Sequence, residues 1–172
     1  MIKDNPDQME QKTYGVRSTA KAVILHEGKV LLNRCRDENN GTYYSLPGGG
    51  QEQYEALEDA CKRECLEETG YSVEPVRFAA LMEEICLDPF IRKTYPQYAH
   101  KMLHIFTCRL VSTDRVEPTE TDDLQISIDW VPLKDVHSLN LLPAAVREHF
   151  DTLTAGEFPL YLGTSFLEHN HG

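Results

Sequence analysis

No run of 18 apolar residues occurs in this chain and no charged-then-apolar leader opens it, so neither a spanning helix nor a secretory signal is expected. A soluble, cytoplasmic protein is the default. Cysteine is scarce and unpatterned: Cys35, Cys61, Cys65, Cys86 and Cys108 are odd in number and contain no C-x-x-C pair. That argues against a disulfide framework or a zinc site and for buried, reduced thiols. Positive charge is also short, with 17 Lys and Arg against 28 Asp and Glu and a net charge of −11. A polyanion held by unspecific Coulomb attraction needs a basic stripe, so no non-specific nucleic-acid binding is expected. A phosphate ligand survives this exclusion if it arrives with metal ions that supply the missing charge. The common nucleotide and nucleophile signatures are missing as well. Gly48-Gly49-Gly50 is not followed by the Lys-Ser or Lys-Thr of a P-loop, no dinucleotide fingerprint or Ser-His-Asp logic is visible, and no D-x-D-x-D-G loop offers a calcium site.

What the chain does have is concentrated in residues 49–71, GGQEQYEALEDACKRECLEETGY. Pro47 and the three glycines after it cannot be helical, so a helix is expected to begin near Tyr54 or Glu55 and to end at Gly70 as a left-handed cap. Ala56, Leu57, Glu58, Ala60 and Leu66 are good helix formers. At about 100° per residue, Leu57, Ala60 and Cys61 share a stripe with Glu64, Glu67 and Glu68. A stripe that begins apolar and ends in three carboxylates, at the negative end of the helix dipole, demands positive charge. Arg63 reaches Glu67 at the i, i+4 spacing, but one arginine does not neutralise three acids. Hard divalent cations, which take oxygen ligands, suit such a cluster; a lone E-x-x-E-E would read more simply as a solvated acidic patch.

More than the cluster is present. Gly49, Glu55, Arg63, Glu64, Glu67, Glu68 and Gly70 fit every fixed position of Gly-x5-Glu-x7-Arg-Glu-U-x-Glu-Glu-x-Gly-U, where U is a bulky aliphatic residue. Chance matches of that kind arise at on the order of 10⁻⁸ per starting point. The stretch resembles the Nudix box, and Tyr44-Ser45-Leu46-Pro47-Gly48-Gly49 with Glu52 resembles its lead-in, with tyrosine where tryptophan is frequent. Cys65 and Tyr71 depart from the aliphatic type, at packing positions. The resemblance implies an α/β fold, the Nudix α/β/α sandwich with a central mixed β-sheet. It also implies Mg²⁺ or Mn²⁺ held by the Gly49 carbonyl, Glu64, Glu67 and Glu68, with Arg63 orienting Glu67 and Glu55 bracing Arg63. For the general base the family offers a box glutamate or a loop acid; Glu64 or Glu67 comes first, with Glu120, among the loop acids Glu117, Glu120, Asp122 and Asp123, as the outside choice.

The implied reaction is metal-dependent pyrophosphohydrolysis of a nucleoside diphosphate linked to another moiety, with a small-molecule nucleotide as substrate. Nucleoside triphosphates, nucleotide sugars, ADP-ribose and dinucleoside polyphosphates all fit, and no secondary signature selects among them. The alternative is a catalytically silent Nudix-fold module that binds or regulates. Such modules usually lose box acids, whereas this chain keeps all of them.

The rest of the chain places these residues. At 41% hydrophobic content, one globular domain with one core is the simplest organisation, taken as 15–165. Residues 1–14 carry no apolar period and read as a flexible arm, or as a strand that forms against a partner such as a second copy in a homodimer. Residues 18–25 and 29–33 read as strands joined by the hairpin turn His26-Glu27-Gly28. Arg34 and Arg36 follow, read evenly as phosphate contacts or solvated charges. Residues 73–81 extend toward Ile85, with Glu83 and Glu84 more simply solvated than aimed at a site. Residues 88–98 form a loop or short helical insert whose Tyr95 and Tyr98 are candidates to stack a base, with a plain surface insert as the alternative. Residues 102–110 make a central strand, flanked or entered by His100 and His104, both taken as structural. Strands at 126–131 and 158–163 and helices at 132–137 and 143–150, the latter with Pro143 at its first position, complete the fold. The tail 166–172 is expected to fray from residue 168.

Overall fold

The computed structural model describes residues 14–121 and 123–171; the expected arm, residues 1–13, lies outside them, as do Asp122 and Gly172. Alternation along β1 (Arg17–His26) sends Val23 to one face of a sheet and Ala20, Ala22 and Ile24 to the other. β2 (Lys29–Asp37) returns antiparallel to β1 through a two-residue turn in which Glu27 and Gly28 both have positive φ, 46° and 72°. That is the turn whose twist matches a right-handed hairpin. β3 (Gly41–Ser45), β5 (Tyr71–Cys86), β6 (His100–Arg115) and β8 (Leu160–Leu167) extend the sheet in the order β3-β2-β1-β6-β5-β8. β4 (Gly48–Gly50) pairs with β1, and β7 (Gln125–Pro132) pairs with β2. The sheet is mixed, because β1 runs parallel to β6 and β5 parallel to β8 while the remaining pairs are antiparallel.

Each face is covered by helix. α1 (Leu57–Thr69) sets Ala60, Cys61 and Cys65 on Ala20, Ala22, Ile24 and Phe106. On the other face a 3-10 turn, Leu133–Ser138, with α3 (Ala144–Glu148) and α4 (Phe150–Ala155), brings Val136, Val146, Phe150 and Leu153 onto Val23, Met82 and Leu103. This is the expected α/β/α sandwich. α2 (Pro89–Thr94) and a 3-10 turn at Pro96–Tyr98 make up the insert between β5 and β6. All five cysteines are buried and unbridged. Among the described residues no helix is long and apolar enough to cross a membrane.

Four boundaries differ from the sequence reading. α1 begins at Leu57 rather than near Tyr54, because Tyr54 takes a left-handed φ of 69° and Glu55 is held outside the helix by Arg63. Pro143 caps α3 from outside, and the expected helix 143–150 is broken at His149. β6 runs to Arg115, which shortens the acidic loop that follows it. β8 reaches Leu167, and His171, in the segment beyond it, is buried.

Candidate active site

Arg63 is the hub of α1. Its Nε and Nη2 donate to the two oxygens of Glu55 at 2.8 and 3.0 Å, its Nη1 donates to Glu64 at 2.9 Å and to Glu67 at 3.0 Å, and its Nη2 also reaches the Gly50 carbonyl at 2.9 Å. Only a planar fork serves that many acceptors from one side chain. The Arg63 hydrogen bond also holds the Glu55 carboxyl below its ordinary pKa. Three acids and the backbone of β4 are therefore fixed relative to one another by a single guanidinium.

One turn on, Glu68 is half-buried, and one of its oxygens, Oε2, accepts from Gly48 N at 2.9 Å and from Asn33 Nδ2 at 2.8 Å. Burial raises its pKa, against the opposing charge of Lys21 and these two hydrogen bonds. Lys21 donates in turn to the Gly48 carbonyl. The glycines are needed for contact as well as for turning. A Cβ on Gly48, whose φ is 124°, would strike the Ala20 carbonyl, and one on Gly49 would strike the Glu64 carboxylate. Glu64 is thereby drawn against the strand that also carries Glu68's partner.

Glu64, Glu68 and Gly48 to Gly50 form one side of a cavity of about 770 Å³. Tyr95 and Tyr98 of the insert line it, both half-exposed, and the Arg17 guanidinium lies 5.0 Å from the centre of the Tyr98 ring. Glu120 and Asp123 enter from the β6–β7 loop, which is tied to α1 where Thr119 N and Glu120 N donate to the Glu67 carbonyl at 3.0 and 3.1 Å. Among the described residues no three His, Cys, Asp or Glu side chains form a ready cage for an ion. The donors suit a hard cation even so: two carboxylates on one cavity wall, one carrying a pKa raised by burial, beside a glycine whose missing side chain leaves the carboxylate room.

A model of the NUDIX domain matches residues 16–153. The chain belongs to the Nudix family. It is similar to phosphatase NudJ of Escherichia coli K12, 28% identical over 148 residues that cover 83% of this chain and 86% of the relative. A Nudix hydrolase from Nitrosomonas europaea superposes with a TM-score of 0.65 at 23% identity, covering 85% of this chain and 94% of the other. A MutT protein from Methanosarcina mazei Go1 does so with a TM-score of 0.60 at 26% identity, over 82% and 94%.

Within this Nudix hydrolase, the residues singled out from sequence divide into groups. Gly49, Glu64, Glu68, Tyr95, Tyr98 and Glu120 meet in the cavity. Arg63 and Glu55 stand behind it, joined to each other, and Glu67 is turned toward Arg63 rather than lining the cavity. Arg34 and Arg36 are not brought into this group: both are exposed on β2 and neither lines the cavity. The alternation of the strand explains this, since Asn33 and Cys35 are the inward residues. His104 hydrogen-bonds the Thr19 carbonyl and His100 pairs with Glu83 at 2.7 Å, so both are engaged structurally.

Four polar residues of the site went unnoticed in the sequence. Lys21 sits in an apolar strand, where a lone lysine is a signal in itself, and Asn33 follows three buried aliphatic residues. Lys101 and His171 carry no such mark. They surround Glu84, 1% exposed on β5, whose carboxylate lies 3.3 Å from Lys101 Nζ and 3.0 Å from His171 Nε2. Burial alone would raise the Glu84 pKa; the close contact with His171 and the charge of Lys101 override it and bring it to about 2.

Proposed function

We propose that this Nudix hydrolase cleaves the diphosphate linkage of a nucleoside diphosphate joined to another moiety, with Mg²⁺ or Mn²⁺ as its ion. The observation that carries the reading is the meeting of Glu64 and Glu68 with Gly49 in a cavity of about 770 Å³, within the range that holds small-molecule ligands. Glu64, Glu68 and the Gly49 carbonyl would hold the cation. When bound, the cation supplies positive charge for the phosphate oxygens and lowers the pKa of water.

The protein's own residues do the rest. Arg63 fixes the carboxylates of Glu64 and Glu67, so that neither has to be ordered when substrate arrives. Lys21, anchored on Gly48, sets a positive charge beside the cavity's glycines. With Glu67 engaged by Arg63, Glu120 at the cavity mouth is the acid we assign to take the proton from the attacking water. Tyr95 and Tyr98 offer aromatic faces to the base.

Substrate choice and chemistry separate in one kinetic series. Tyr95→Ala and Tyr98→Ala should raise KM and blur preference between bases, by roughly 1 to 3 kcal/mol, because stacking holds ground and transition states alike. Glu120→Gln should lower kcat by about 10² or more with base preference unchanged. Unchanged parameters for both tyrosine variants would return the insert to a solvated role, and an unaffected kcat would return the base to α1.

The name of the Escherichia coli relative, a phosphatase, favours a second reading in which the terminal phosphate alone is removed. The products decide between the two. Pyrophosphohydrolysis of a nucleoside triphosphate leaves nucleoside monophosphate and pyrophosphate, whereas the second reading leaves nucleoside diphosphate and inorganic phosphate. Detection of the latter pair would overturn the first reading.

A further inference from the structure

The three glycines of β4 each abut one charged side chain. Gly48 N donates to Glu68, a Cβ on Gly49 would strike the Glu64 carboxylate, and a Cβ on Gly50 would strike the Arg17 guanidinium. Acid, acid and base thus follow one another along the strand that edges the cavity, and all three line it. Glu64 and Glu68 have a role in the proposed reaction, and Arg17 has none. It enters from β1, where Arg17, Thr19 and Lys21 fall on one face by alternation and all line the cavity.

The charge of Arg17 is uncommitted, unlike that of the other cavity lysines. Lys101, its register partner on β6, lies 3.3 Å from the Glu84 carboxylate, and Lys21 donates to the Gly48 carbonyl beside Glu68. Among the described residues Arg17 forms no ion pair. Its guanidinium lies over the Tyr98 ring instead, 5.0 Å from the centre. A guanidinium over a ring keeps its N–H donors in its own plane, where they stay open to an anion. In a chain of net charge −11, a half-buried arginine without an acid, in a cavity walled by glutamates, is a cation that an anionic ligand completes.

The order along β4 says which part of the ligand meets it. The two phosphates of a diphosphate are joined through a single oxygen. With one of them at the cation site of Glu64, Glu68 and the Gly49 carbonyl, the other is within reach of the adjoining Gly50, and so of Arg17. We infer that Arg17 is a phosphate-binding residue of this cavity, donating to the phosphate next to the one at Glu64 and Glu68 while its face stays on Tyr98. This rests on the reading of the cavity as a nucleotide site and adds the residue that takes the second phosphate. Through the same stack Tyr98 positions the arginine, which couples the insert between β5 and β6 to the diphosphate.

The test compares two probes that resist cleavage, both with Mg²⁺: the α,β-methylene analogue of ADP, and methylenediphosphonate, which carries the two phosphorus groups and no base. Affinities are read by calorimetry, with methylenediphosphonate titrated directly and as a competitor of the nucleotide. Arg17→Gln should weaken both probes by about tenfold or more, the scale of a charge-assisted hydrogen bond. Arg17→Lys keeps the charge and loses the fork, so it should recover part of both affinities, and it keeps the measurement available if the glutamine variant folds poorly. Arg109→Gln, which removes the same charge from an exposed position on β6 outside the cavity lining, should leave both affinities within about twofold. An arginine that only steadies the Tyr98 ring for a base behaves differently. Its loss weakens the nucleotide and leaves methylenediphosphonate within about twofold, and that result overturns the inference. A full chain that binds methylenediphosphonate no better than the glutamine variant does so too. The readout needs no turnover, so these losses without hydrolysis of any natural nucleotide support Arg17 and count against the proposed reaction alone. Failure of both probes to bind the full chain overturns the inference together with the reading it rests on.

Discussion

Glu68→Gln should lower turnover by about 10³-fold or more, on the scale of lost metal or acid-base function, while the melting temperature holds or rises. The substitution is nearly silent in shape. Both hydrogen bonds that Glu68 receives, from Gly48 N and Asn33 Nδ2, go to the same oxygen, so the amide oxygen of glutamine keeps them. What disappears is a charge at a half-buried position, and desolvation is the largest influence on this carboxyl, raising its pKa. A carboxyl whose pKa is higher in the folded than in the unfolded chain is not penalised below its unfolded value; the cost grows as the pH rises from the unfolded to the folded value and stays constant above it. The variant's advantage in stability should therefore open with rising pH and be absent in acid. Thermal melts across pH, beside steady-state kinetics at saturating metal, check both halves. Near-normal turnover would remove Glu68 from the site, and a loss of stability at neutral pH would contradict the electrostatic account.

Arg63→Met should be the most damaging single change to α1, costing about 3 kcal/mol of stability and lowering turnover by about 10² or more, since removal of one partner strands the carboxylates of Glu55, Glu64 and Glu67. Arg63→Lys separates charge from geometry. A lysine restores one positive charge but not the fork that binds Glu55 with two nitrogens while holding Glu64, Glu67 and Gly50 with the others. It should recover part of the stability and little of the turnover. Urea unfolding and kinetics of the two variants distinguish these effects. A methionine variant as stable as the parent chain would mean that the acids tolerate one another without the arginine.

Local chemistry was what the sequence made legible. The glycines before α1, the glutamates on it and the arginine among them are fixed by spacing on one helix and one loop, so their contacts follow from residues close in the chain. Gly70 ends α1 with φ of 75°, as its type and position require. The hairpin at Glu27 and Gly28 is local in the same sense. Propensity failed where a distant partner outweighed it. Residues 54–56 are expected to open the helix, yet Glu52 N donates to the Glu55 side chain, and that side chain is claimed by Arg63, so they stay a loop. Arg34 and Arg36 lie outside the cavity lining because distance along the chain from the box says nothing about which face of β2 they occupy. Glu84, Lys101 and His171 come from three separate stretches, and nothing in their spacing announces that β5, β6 and the residues after β8 converge. A glutamate beside another glutamate at a strand end looks solvated until the strand beyond it and the tail are in place.

The central claim is that the acids of α1 carry out hydrolysis together with a divalent ion. Incubating the purified chain with a panel of nucleoside triphosphates, nucleotide sugars, ADP-ribose and dinucleoside polyphosphates, with Mg²⁺ or Mn²⁺ and with excess chelator, tests it most directly. The account predicts two phosphate-bearing products from at least one of these compounds, formed only when the divalent ion is present. Turnover undiminished in excess chelator would contradict it.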